Sequence, residues 1–252
     1  MKNLFVFAHQ DDEFGVFHEI KKLSNEGQEI FIVYLTSGTL DGSMSMVRDM
    51  ESMETLALIG VKRENVFFLG GLHGLPDGKL SCHIEKAFLL LCNILSDKGP
   101  FSKIYTLAWE GGHQDHDAAH LISLAAAKKI NILESCYQIP LYTGMNTVWI
   151  IFRLFVANQS NGKPVLSKIP IAERIQFLKY IFAYRSQVKT WIALFPFLVL
   201  HYVFYGTQVL QKTAVSRLLQ KPHDGIMLYE RRGFYTYIDF QTDTDPFIKK
   251  YL

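Results

Sequence analysis

Two short stretches of this chain gather the residue types that metal or acid–base chemistry needs. The first is Ala8-His9-Gln10-Asp11-Asp12-Glu13; the second, far downstream, is Glu110-Gly111-Gly112-His113-Gln114-Asp115-His116, with His120 one helical turn beyond. Two imidazoles and a carboxylate supplied from two loops suit a divalent metal of borderline softness with an open coordination position. His9 and Asp12 are three apart, so one turn can aim both at a single point. His116 arrives from the other stretch, and water takes the fourth position. Asp11, beside a ligand but not needed as one, is then available as a general base. Each residue also has a plainer reading. Asp11 or Asp12 alone would cap a helix, His9 would be a hydrogen-bonding residue, and His116 a first-turn histidine. Those readings need a separate reason for every residue, whereas one metal accounts for them all. Other chemistries share parts of the set. Two histidines and an aspartate serve iron oxygenases, and Asp11 with Asp12 would serve magnesium-dependent phosphoryl transfer, which leaves the histidines idle.

The elements that must position these stretches alternate in type. Residues 3–8 form an apolar run of strand length, and Phe14, Phe17, Ile20 and Leu23 recur at helical spacing. Residues 29–36 (EIFIVYLT) are β-branched and aromatic, as a buried strand requires. Residues 46–59 then read as a helix stopped by Gly60, followed by strand 66–69, helix 84–95, strand 104–109, helix 115–129 and strand 136–141. Strands separated by helical crossovers predict an α/β fold: a mostly parallel sheet with helices on both faces. In such sheets ligands gather beyond the carboxyl ends of the strands, which is where both stretches fall. Gly70, Gly71 and Gly74 lack the spacing of a dinucleotide loop.

Beyond residue 142 the pattern loosens. Residues 1–145 read as the catalytic core and 146–252 as a C-terminal part completing the same domain. Within it, 171–187 predicts an amphipathic helix and 226–237 a strand or hairpin. Residues 191–210 (WIALFPFLVLHYVFYGTQVL) hold no charge. Their length reaches that of a membrane span, but Pro196, His201, Gly206 and Gln208 interrupt them. A packed helical hairpin is the first expectation, and peripheral contact with a membrane interface the second. The balance of 26 Lys and Arg against 24 Asp and Glu supplies no field for nucleic acid. Cys82, Cys92 and Cys136 form no metal or disulfide pattern and read as small buried hydrophobes, and the apolar run at the N-terminus is too short for a secretory signal. A cytoplasmic protein, peripheral at the inner face of the membrane if 191–210 meets lipid, is expected. Oligomeric state is not encoded legibly.

AHQDDE at 8–13 together with HQDH at 113–116 resembles the paired signatures of the LmbE-like, or PIG-L-type, metal-dependent N-deacetylases. The resemblance continues through Thr36-Ser37-Gly38, Arg48 with Glu51, Ile59-Gly60, Phe68-Leu69, Leu75-Pro76-Asp77-Gly78 and Tyr184-Arg185-Ser186-Gln187, and so spans most of residues 2–190. It implies a Rossmann-like fold, zinc or another divalent ion such as iron(II), and removal of acetyl groups from N-acetylglucosamine-type sugars on lipid, polysaccharide or other glycoconjugate carriers. It further implies His9, Asp12 and His116 as ligands, Asp11 as base, and a protonated His113 as oxyanion stabiliser or acid. Asp115 would orient an imidazole, and Arg48 and Asp77 would contact sugar hydroxyls. Gln10 and Gln114 stand where proline is usual in that family, which loosens two loop positions but removes no ligand. The competing reading on the same scaffold is a non-catalytic zinc-containing sugar-binding protein.

Overall fold

The computed structural model describes residues 1–252. The apolar run after Met1 is strand β1 (Lys2–Phe7), buried on both faces from Asn3 onward. It pairs in parallel with β2 (Glu29–Tyr34) on one side and β4 (Lys103–Leu107) on the other; β3 (Val66–Phe68) and β5 (Cys136–Ile139) extend the parallel array outward. Two later strands, β8 (Pro164–Lys168) and β9 (Thr207–Lys212), are antiparallel and complete a seven-stranded sheet in the order β3-β2-β1-β4-β5-β9-β8. A short hairpin, β6 (Tyr142–Thr143) with β7 (Arg153–Leu154), lies outside it.

The helices are α1 (Phe17–Asn25), α2 (Ser45–Leu58), α3 (Leu69–His73), α4 (Ile84–Lys98), α5 (Gln114–Lys129), α6 (Ile171–Tyr180), α7 (Val188–Phe204), α8 (Leu228–Arg231) and α9 (Tyr237–Tyr251). The chain steps from β1 outward to β2 and β3, then returns to the other side of β1 as β4. This reversal opens a crevice at the carboxyl ends of β1 and β4, the place where open α/β sheets bind ligands. α5 leaves that crevice. Every residue from Gln114 to Ala127 is buried, and its Ala-rich faces let it pack closely between α4 and α9. One apolar cluster joins residues from β1 to α9.

Four local expectations change. The helix predicted over 171–187 ends as α6 at Tyr180 and continues as two 3-10 turns, Ile181–Ala183 and Arg185–Gln187. The Glu51 carboxylate accepts the backbone N–H of Ser186 at 2.8 Å and its hydroxyl at 2.5 Å, holding those residues out of the helical ladder. Residues 191–210 are no helical hairpin: α7 ends at Phe204, Gly206 turns at φ +55°, and the chain continues as β9, which pairs with β8. Residues 226–237 form α8 and a loop rather than a strand, because Glu230 accepts the Met227 N–H at 2.8 Å and closes a helical turn. Cys92 and Cys136 are buried, but Cys82 is exposed on the turn before α4, beside Asp243.

Candidate metal centre

The loop after β1 closes on itself. The Asp12 carboxylate accepts the backbone N–H of His9 at 2.8 Å, which turns both side chains to one side. Asp11 sits between them at φ +103°, a conformation costly for a residue with a Cβ. Buried Glu13 holds it there: one carboxylate oxygen accepts the Asp11 N–H at 3.0 Å and the other the Tyr184 hydroxyl at 2.8 Å. Asp11 precedes the 3-10 turn Asp12–Gly15, yet its side chain makes no capping bond. The helix-cap explanation therefore fails for it. Its carboxylate instead faces the Arg48 guanidinium at 3.3 Å.

The loop after β4 is fastened from three directions. Asp117 accepts the N–H groups of Glu110 and Gly111, both at 3.2 Å, while Glu110 accepts those of Leu141 and Tyr142 at 2.8 and 3.0 Å. Gly111 takes φ +68°, and a side chain at Gly112 would strike the Tyr142 carbonyl. The Gly111 carbonyl accepts the Leu228 N–H at 2.8 Å, tying α8 to the site. His113 then caps α5, its Nδ1 accepting the Asp115 N–H at 3.2 Å. Asp115 is buried and accepts N–H groups from Gly78 at 2.6 Å and Leu80 at 3.0 Å.

These two loops meet. His116 Nε2 lies 3.1 Å from one Asp12 oxygen, and His9 Nδ1 lies 3.6 Å from the other. Ring nitrogens of His9, His113 and His116 stand within 4.8 Å of one another, as do donor atoms of His9, Asp77 and Asp115. The opposite nitrogen of His9, Nε2, donates toward Asp115 at 3.1 Å and lies 3.0 Å from Asp77. A second carboxylate holding the far nitrogen leaves Nδ1 bare, which is how metal-binding histidines are oriented. His116 carries the sharper sign. It is 1 % exposed, and neither ring nitrogen has a hydrogen-bond partner. Buried polar atoms are costly when unpaired, so Nε2, turned to Asp12 at 3.1 Å without hydrogen-bond geometry, fits a cation held between them. Asp12, His9 and His116 thus suit a divalent ion, with His113 and Asp77 at its margin.

The electrostatics agree. Burial opposes a charge on His9, yet the surrounding Asp77, Asp115 and Asp12 carboxylates hold its pKa well above the usual value, so positive charge belongs at this point. Burial likewise works against Asp12 and Asp77, but the neighbouring histidines keep both well below the ordinary carboxylate range. Asp11 goes the other way: burial, only partly offset by Arg48, pushes it up to about 8, which gives it real affinity for a proton at neutral pH.

Two residues sit in surroundings that bear on the roles the resemblance implies. Burial first, and positive charge on His9 second, push His113 down to about 4. With Nδ1 occupied by the Asp115 N–H, His113 offers a neutral Nε2–H rather than an imidazolium. Arg48 is buried and its guanidinium serves the Gly38 carbonyl, the Gln10 carbonyl at 2.5 Å and Asp11. Three of its five N–H donors are used on these loops, so it positions Asp11. Asp77, by contrast, keeps a solvent-facing side, and a cleft of about 630 Å³ lined by Ser37, Ser45, Asp49 and Pro76 opens next to it. His120 donates to the Leu107 carbonyl at 2.8 Å and ties α5 to β4.

Three further residues surround the centre without a signal in the motifs. The Tyr142 ring is 5.2 Å from that of His116, the Arg232 guanidinium lies over Tyr142 at 5.9 Å, and Phe234 is 6.5 Å from His113. All three come from the irregular second half of the chain.

Comparison with known proteins agrees with this picture. Residues 4–127 match the PIG-L family, described as GlcNAc-PI de-N-acetylase. A probable N-acetylglucosaminyl-phosphatidylinositol de-N-acetylase of Dictyostelium discoideum is 38% identical over 68 residues, 27% of this chain and 26% of that protein, so the match spans about a quarter of the relative's length. Among solved structures, a deacetylase of the teicoplanin biosynthesis pathway superposes with a TM-score of 0.64 at 14% identity, over 84% of this chain and 97% of that one. The N,N'-diacetylchitobiose deacetylase of Pyrococcus horikoshii does so with a TM-score of 0.57 at 23% identity, over 84% and 82%. At these identities the superpositions establish a shared fold.

Proposed function

Because residues 4–127 match the PIG-L family, described as GlcNAc-PI de-N-acetylase, we propose that this chain hydrolyses the acetamide of an N-acetylglucosamine-type sugar, releasing acetate and the free amine. The observation that carries this reading is the convergence of His9, Asp12 and the buried His116 on one point beside the Asp11 carboxylate. A sugar-binding protein would not require a base at that point.

His9, Asp12 and His116 would hold the ion, zinc in the first instance. When bound it would polarise the acetyl carbonyl and acidify water. Asp11 takes the proton from the attacking water. Arg48 and Glu13 keep that carboxylate aimed, one through its side chain and the other through its backbone. His113, fixed as the Nε2–H tautomer, donates to the carbonyl oxygen as negative charge develops there, a contact worth roughly 10²- to 10³-fold when one such donor is lost. The proton on Asp11 then passes to the sugar nitrogen as the C–N bond breaks. Asp77 and the adjoining cleft receive sugar hydroxyls.

Acetate release from a panel of N-acetylated sugars, with and without a chelator, tests the proposal. Turnover that chelation abolishes and added zinc restores is expected. Binding without acetate release by the metal-loaded protein would return the chain to the sugar-binding reading.

A further inference from the structure

Helix α7 is apolar on both sides. Trp191, Leu194, Leu198 and Tyr202 enter the core, and Trp191 packs on Phe14 at 5.1 Å, directly behind the Asp11–Asp12 turn. The outer face should be polar in a surface helix. It carries Ile192 (72% exposed), Val203 (64%) and Phe204 (73%) instead, with Phe197 and Leu200 between them. Phe182 extends this face at one end through Phe195, ring to ring at 5.4 Å. At its middle Phe197 meets Phe152 at 4.8 Å, next to the loop Val148-Trp149-Ile150-Ile151, in which Trp149 is 79% exposed. So large a continuous apolar surface marks an interaction site.

Charge identifies the partner. Residues 145–206 hold seven Lys and Arg but one carboxylate, Glu173, in a chain that as a whole holds 26 Lys and Arg against 24 Asp and Glu. Glu173 is already bound to His18 at 2.8 Å and Lys21 at 3.5 Å. Arg153, Lys163, Lys168, Lys179, Arg185 and Lys189 are all exposed, and none has an acidic partner. Exposed apolar and aromatic side chains in a stretch whose exposed cations have no acidic partner match an anionic bilayer interface. The stretch Arg185–Phe204 has the length and composition of a membrane span. With its inner face locked into the core, however, α7 can lie along a bilayer and not cross one.

We infer that the outer face of α7, together with Phe182 and the 148–151 loop, docks this protein on anionic phospholipid membranes. The docked surface runs to the catalytic crevice: Phe152 is 6.2 Å from Tyr142, whose ring edges His116. An amino sugar carried on a membrane lipid would thus be met at the headgroup level. That consequence rests on the proposed deacetylation, whereas docking itself does not.

Flotation of the full chain with phosphatidylcholine vesicles, and with vesicles also containing phosphatidylserine, tests the inference without any need for hydrolysis. Binding about tenfold stronger to the anionic vesicles and weakened by high salt is expected. Ile192→Glu and Phe204→Glu should each lower bound protein about tenfold or more, and Lys189→Glu should selectively weaken the anionic vesicles' hold. Wild-type melting temperatures and unchanged acetate release from a soluble sugar would show that the variants remain folded. Absence of binding to either vesicle, or wild-type binding by the Glu variants, overturns the inference. A dimer in sedimentation that Ile192→Glu dissolves would also overturn it, by giving this face to a second copy of the chain.

Discussion

Replacing Asp11 by Asn separates a general base from a ligand. The substitution is close to isosteric, and Asn is among the few residues that tolerate a positive φ such as the +103° found here. The Glu13 bond to the backbone N–H at 3.0 Å survives, because it does not involve the side chain. The Arg48 contact at 3.3 Å loses its charge but keeps an oxygen acceptor. What disappears is a carboxylate with a proton affinity of about 8. Loss of a general base costs on the order of 10²- to 10⁴-fold in turnover, or roughly 3 to 5 kcal/mol of barrier. Metal content should stay at the wild-type level, since His9, Asp12 and His116 are untouched. The assay pairs acetate release at saturating sugar with elemental analysis of the same sample. Full turnover in metal-loaded Asp11→Asn would refute the base, and loss of metal would make Asp11 a ligand.

Three other outcomes follow from the same geometry. His116→Ala removes the buried imidazole whose nitrogens lack hydrogen bonds and should abolish metal binding, read by elemental analysis, while far-ultraviolet circular dichroism stays unchanged. Asp115→Asn weakens the hold on His9 Nε2, so metal affinity should fall about 10- to 100-fold in a competitive chelator titration. Burial raises Glu110 to about 8. An acid whose folded pKa exceeds its unfolded value binds more protons when folded, so its unfavourable contribution grows from about pH 4.5 to pH 8 and is constant above. Glu110→Gln keeps an acceptor for Leu141 and Tyr142 and should flatten the fall in melting temperature over that window.

The parallel half of the fold was legible because its strands are buried on both faces and appear as unbroken apolar runs; β1, β2 and β4 fall within a residue or two of where the runs lie. The convergence of His9, Asp12 and His116 was legible because their residue types cluster at strand ends. The second half was not, since its elements are decided by distant partners. Ser186 leaves a helix for Glu51, 135 residues away; the α8 turn, closed by Glu230 three residues after Met227, is the local exception. Arg48 shows a related limit: its residue type announces a cation, but only packing shows that it holds the Gln10–Asp11 turn and Gly38. Tyr142, Arg232 and Phe234 carry no motif and reach the crevice only by folding.

The ion itself offers the most direct test, because two donor groups share His9: one with His113 and His116, the other with Asp77 and Asp115. Crystals of the zinc-loaded protein, measured at the zinc absorption edge, should show a single anomalous peak between His9 Nδ1, the Asp12 carboxylate and His116. A peak at Nε2 of His9 between Asp77 and Asp115, or no peak in the crevice at all, would contradict the account.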